Sequence, residues 1–203
     1  MLLFKLLSTQ TPVIPPVLPD YDVGFVDGVW TNNSTYTQSG SIPIITVDGK
    51  PAFNCTNSAY ITLNGHPMTA GDWTACFDVQ VVNVGDMRIV STNTAARLMS
   101  LGASSVTGYN LSVFSTDDNY HQPQNFPVTN GQRFKAVLKC KANVGYYLST
   151  TTSSNDLLIS PSMFSGNGFC LGYGYGAYQY YIHDFKLYDQ KLLTDEQINQ
   201  YLA

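Results

Sequence analysis

Glutamate is almost missing from this chain: thirteen of its fourteen acidic residues are aspartates, and Glu196 is the only glutamate. Charge of either sign is scarce, with 12% of residues charged against roughly 25% in ordinary soluble domains. Ten scattered Lys and Arg and a formal charge of -4 create no basic field, which excludes a nucleic-acid-binding surface. No run reaches the ~18 apolar residues needed to cross a bilayer. The three histidines, His66, His121 and His183, lie far apart without metal-ligand spacing. The four cysteines, Cys55, Cys76, Cys140 and Cys170, form no Cys-x-x-Cys pair, so a structural zinc site has no support. Cys140 shares the parity of Phe134, Ala136 and Leu138, which makes buried free thiols the expected state. One or two disulfides are the alternative for a protein working outside a cell.

These gaps also remove most chemistry. Glycoside hydrolysis by paired carboxylates needs two of them ~5–9.5 Å apart. No Asp-x-Asp pair lies on a predicted strand, and the adjacent Asp117 and Asp118 would face opposite sides of an extended segment. Glu196 falls in the first turn of a predicted helix, where a carboxylate complements the dipole. No Gly-x-Ser-x-Gly elbow or Walker loop is present. The chain is therefore expected to be non-catalytic, with no catalytic residues to name.

What is present is an apolar fraction of 44%, enough for a filled core, and many short alternating runs. Predicted strands cover 42–47, 59–63, 73–82, 87–91, 97–101, 110–114, 133–141, 146–150, 169–172 and 180–188. Asp48-Gly49, Asn64-Gly65 and Asn130-Gly131 mark turns between them. In the last strand Tyr181, His183, Phe185 and Leu187 alternate with Ile182, Asp184, Lys186 and Tyr188. Thr194 precedes Gln197 at capping-box spacing, and Ile198, Tyr201 and Leu202 give a terminal helix one apolar stripe.

Residues 1–20 differ from the body at 21–203. Met-Leu-Leu-Phe-Lys-Leu-Leu resembles the start of a signal peptide, but Lys5 interrupts it and no Ala-x-Ala site follows, so the segment is expected to be retained. Pro12, Pro15, Pro16 and Pro19 then favour extended backbone and forbid ladder pairing. This reads as an arm whose Leu2, Leu3, Phe4, Leu6 and Leu7 need burial, either on the body of this domain or on a neighbouring subunit, with another chain the expected partner.

The closing strand, tight turn and helical clip resemble the end of laminin-G-like and concanavalin A-like sandwich domains. Asp48-Gly49-Lys50-Pro51-Ala52-Phe53 followed by Ala59–Leu63 is similar to their opening, and Gly71–Val79 to their long core strand. Arg133 and Phe134 stand where these domains usually place a Trp and a His. The resemblance implies an all-β, antiparallel two-sheet jelly-roll with a short C-terminal helix and an extended N-terminal arm. It further implies a sugar- or surface-binding architecture rather than one activity. Such sandwiches look like those on bacteriophage capsid decorations, head fibres and tail appendages. The expectation is thus a structural or binding module of a virion, joined to other subunits or to a second copy through the arm. The alternative is a secreted or cell-surface laminin-G-like adhesion domain, and a glycoside hydrolase is the remotest third.

Two loops are candidate glycan contacts. Tyr173, Tyr175 and Tyr178 sit among glycines and could stack on a pyranose face. Asp118, Asn119 and Tyr120 form a second polar-aromatic loop. Some laminin-G-like domains hold Ca2+ in such a loop, although this one alone offers fewer than the usual 6–8 oxygen ligands.

Overall fold

A computed structural model describes residues 17–22, 24–26, 29–31, 37–56, 59–64, 71–92, 100–105, 108–114, 120–121, 126–142, 144–151, 153–157, 168–172, 174–175 and 177–203. The predicted assembly arm, Leu2, Leu3, Phe4, Leu6 and Leu7, lies outside the described residues.

The chain is built from short strands in succession. β1 (Tyr21–Asp22), β2 (Gly24–Val26), β3 (Val29–Thr31) and β4 (Thr37–Gly40) come first. β5 (Ile44–Val47) and β6 (Lys50–Thr56) form a hairpin in which Asp48 and Gly49 take φ of 51° and 75°. Two successive left-handed residues match the right-handed twist of the flanking strands, which is why an Asp-Gly pair stands there. β7 (Ile61–Asn64), β8 (Trp73–Asn83), β9 (Asp86–Thr92), β10 (Ser100–Ala103), β11 (Ser112–Phe114) and β12 (Tyr120–His121) follow. Then come β13 (Arg133–Lys141), β14 (Gly145–Thr150), β15 (Ser153–Leu157), β16 (Gly168–Leu171), β17 (Gly174–Tyr175) and β18 (Gln179–Asp189). α1 (Asp195–Leu202) closes the chain and is the only helix of two turns or more among the described residues.

The strands make two antiparallel sheets, as expected from the sequence. The first runs β15-β14-β13-β8-β18-β6-β5, with β1 also paired to β18. The second runs β12-β11-β10-β9-β16-β7-β4, with β17 also paired to β9, and β2 and β3 pair separately. Between the sheets lie Phe53, Trp73, Phe77, Val79, Ile89, Val113, Leu138, Tyr146, Tyr180 and Phe185, all buried. The two long strands at the centre dominate this layer; Phe77 of β8 and Phe185 of β18 meet with ring centroids 5.2 Å apart. Burying side chains of this size is worth about 1.5–3 kcal/mol each and drives the sheets together.

One feature of β18 departs from the sequence reading. Its register against β8 shifts between Ile182 and Asp184, so Tyr180, Ile182, Phe185 and Leu187 all face the core. The extra residue of this bulge reverses the parity, and Ile182 parts company with Asp184, Lys186 and Tyr188.

A smaller cluster lies on the outer face of the first sheet. There α1 lays Ile198 and Leu202 over Cys76 of β8, Val137 of β13 and Tyr188 of β18, with Leu193. The helix starts where the capping box predicts: Gln197 N–H donates to Thr194 Oγ1 at 3.3 Å, and Thr194 N–H donates to Gln197 Oε1 at 2.9 Å. No helix among the described residues is long and apolar enough to cross a membrane.

Candidate functional site

The glycine-flanked tyrosines do not form one open platform. Tyr173 lies outside the described residues. The backbone of Tyr175 pairs with Asp86 in the second sheet, and its side chain is not described. Tyr178 is buried, 4% exposed; its hydroxyl donates to Gly172 O at 2.9 Å and its ring stacks on Tyr180 at 5.7 Å. Tyr180 in turn donates to Arg88 O at 2.6 Å. Tyr178 is therefore a packing residue and not a sugar-stacking surface. The glycine beside it serves the same packing: Gly172 has φ 83°, and an added Cβ would meet Ala59 O at 3.0 Å. In the other predicted loop, Asp118 and Asn119 lie outside the described residues, and Tyr120 enters the second sheet opposite Phe114.

The cysteines are all free and buried. Burial pushes the thiols of Cys55, Cys76 and Cys170 up, and that of Cys140 to about 11. Such groups stay protonated at neutral pH and are poor nucleophiles. Glu196 is fully exposed in the first turn of α1, where hydrogen bonds from its own backbone N–H and from Thr194 hold its carboxyl below the usual range.

A different cluster emerges on the outer face of the first sheet, beside the half covered by α1. The ladder registers align Arg133 of β13 with Gln80 of β8, Gln80 with Tyr181 of β18, and Tyr181 with Asn54 of β6. The chain neighbours of each, Phe134, Val79 and Val81, Tyr180 and Ile182, and Phe53 and Cys55, all belong to the core. The four aligned side chains therefore share the outward face, in a row spanning three inter-strand spacings, or about 14 Å.

Hydrogen bonds fix the groups around this row. Arg133 donates from Nε and Nη2 to the two carboxylate oxygens of Asp78, at 2.9 and 2.8 Å. His183 Nε2 lies 3.0 Å from Gln80 Oε1, and Gln179 Nε2 donates to Asn54 Oδ1 at 2.9 Å. The Asp78 hydrogen bond raises the Arg133 pKa. Burial, and then the Arg133 charge, lowers that of His183, so the imidazole is neutral at pH 7 and donates to Gln80. A half-buried tyrosine ring is thus flanked by ordered amide and guanidinium groups. That combination can hold a flat, hydroxylated ligand by ring contact and hydrogen bonds.

Sequence reading missed this cluster, because its members come from four strands spread over 130 residues. The alternation of Asp78 and Gln80 with Val79 and Val81 was its one visible trace.

The architecture is that of a two-sheet β-sandwich with a helix on one outer face. No family model matches the chain, and no curated protein matches it. Solved structures do. Domain 4 of AbnA, an extracellular GH43 arabinanase from Geobacillus stearothermophilus, in complex with arabinotriose, superposes with a TM-score of 0.68 at 12% identity, over 92% of this chain and 98% of that one. The botulinum neurotoxin serotype D binding domain matches with a TM-score of 0.68 at 12% identity, over 91% of this chain and 51% of that one. The type C neurotoxin, whose cell entry depends on two ganglioside molecules, matches with a TM-score of 0.68 at 10% identity, over 91% and 50%. The chain thus spans about half the length of the neurotoxin binding domains, and these likenesses establish the sandwich fold.

Proposed function

We propose that this chain is a non-catalytic glycan-binding module carried on a larger assembly. The observation that carries the reading is the outward row Arg133–Gln80–Tyr181–Asn54, with its hydrogen-bonded partners Asp78, His183 and Gln179. Hydrogen bonds hold the Arg133, Gln80 and Asn54 side chains, which lowers the entropic cost of binding. Sandwiches of the same fold support it, one in complex with arabinotriose and one acting through gangliosides.

The assembly is a virion in this reading, and the tether is the arm, with Leu2, Leu3, Phe4, Leu6 and Leu7 buried on a neighbouring subunit. Four buried free thiols favour it over a secreted or cell-surface adhesion domain, since disulfides are the common staple of exported domains.

A glycan array with purified protein, followed by titration of the best ligand, tests the binding. Tyr181→Ala and Gln80→Ala should each weaken the best ligand by about tenfold or more, the range for losing a ring platform or a hydrogen bond from a sugar site. Tyr175→Ala provides the comparison with the rival loop: if it alone reduces affinity, the site lies on the second sheet. Absence of binding to every glycan would leave only the assembly role.

A further inference from the structure

The row Arg133–Gln80–Tyr181–Asn54 also limits the kind of sugar that can sit on it. Arg133 is the cation of the row, and an open guanidinium fork is a receptor for a carboxylate. Here the fork is already filled. Its Nε and Nη2 donate to the two oxygens of Asp78, at 2.9 and 2.8 Å, and Asp78 itself is buried.

The charges beyond this pair cancel as well. Those acting on His183 are Arg133 and Lys50, set against Asp78 and Asp48. Further along β18, Lys186 Nζ lies 2.7 Å from Asp184 Oδ2 and 3.9 Å from Asp22 Oδ1. Lys135 turns to the helix, where its Nζ donates to Tyr201 O at 2.8 Å. Two lysines thus stand against two aspartates there too. A sugar carboxylate brought to Tyr181 would lose water without meeting an unopposed positive charge.

The hydrogen-bonding groups point the same way. His183 engages Gln80 Oε1, and Gln179 engages Asn54 Oδ1. What these amides keep for a ligand is chiefly N–H, which suits the hydroxyl, ether and acetamido oxygens of an uncharged sugar. An amide dipole does not by itself offset the desolvation of a full charge. We propose that this site takes neutral glycans and rejects acidic ones, with Asp78 setting the preference by occupying Arg133. The proposal rests on the glycan-binding reading of the same row and names its ligand class. Asp78 is a positioning residue in this scheme, because it acts on the ligand through the guanidinium.

The test titrates the full chain with the best neutral ligand from a glycan array and with the same glycan oxidised at C6 to its uronate. Oxidation should weaken binding by roughly tenfold or more, the cost of a carboxylate left without a partner at a partly buried site. Asp78→Asn keeps the side chain's shape but leaves Arg133 uncompensated. It should shrink that gap by about tenfold, and the regained uronate binding should fade as salt is raised. Asp48→Asn changes the same balance from an exposed turn, at φ 51°, where asparagine accepts the left-handed backbone. Its effect should be smaller and in the same direction, and it carries the test if Asp78→Asn does not fold. Acidic glycans that bind as well as neutral ones, or a gap that neither variant moves, would overturn the proposal. Binding of neither kind would overturn the glycan reading itself, and this proposal with it.

Discussion

Asp78 is the buried anion of the outer sheet face, 9% exposed, and Arg133 is its only cationic partner at hydrogen-bonding distance among the described residues. Arg133 itself keeps 42% of its side-chain surface in water, which places the pair between the exposed and buried limits. Arg133→Ala should therefore cost about 1–3 kcal/mol, more than a surface pair and less than a fully buried one. Urea unfolding measures it. In a double-mutant cycle, Asp78→Asn should recover part of that loss, because the stranded carboxylate is gone. Strict additivity of the two changes would mean that the pair contributes no coupling. The sequence held both residues in view without hinting at the pairing: Asp78 and Arg133 are 55 positions apart. Only the register of β13 on β8 makes them neighbours.

Elements were more legible than residues. The core strands β8, β13 and β18 were readable because alternation and turn chemistry agree there. The edge and opening strands β1–β4, β12, β15 and β17 were not, since two to five residues carry too little pattern to separate a strand from a loop. The bulge in β18 was invisible for a related reason: it exchanges one outward residue for two, and Tyr181, His183 and Asp184 are all tolerated on a half-covered face. The clip was the clearest signal, because a capping box is a local motif that tertiary context need only accept. Thr194→Ala removes the hydrogen bond to Gln197 N–H and should lower stability by about 0.5–2 kcal/mol. Thermal unfolding with the Thr194→Ser control checks this: serine keeps the acceptor and should retain most of the stability. A similar loss in both variants would point to the lost methyl and not to the cap.

At the scale of the whole molecule, the core clusters of the described residues run from Ile42 to Leu202, and the apolar septet lies outside the described residues. In the proposed reading the septet is a tether and not a piece of the core. Leaving its five large side chains in water forgoes about 1.5–3 kcal/mol each, so a free chain should bury them on whatever surface it meets. On that reading, deleting residues 1–11 should leave the melting temperature unchanged. It should also convert a self-associating protein into a monomer, read by sedimentation velocity across a range of concentrations. Assembly on a partner surface should vanish with the same deletion, because in this reading the septet is the tether. A drop in melting temperature would place the septet inside this fold. A full-length chain that stays monomeric at every concentration would remove the physical reason for a tether, because exposed apolar arms do not stay apart.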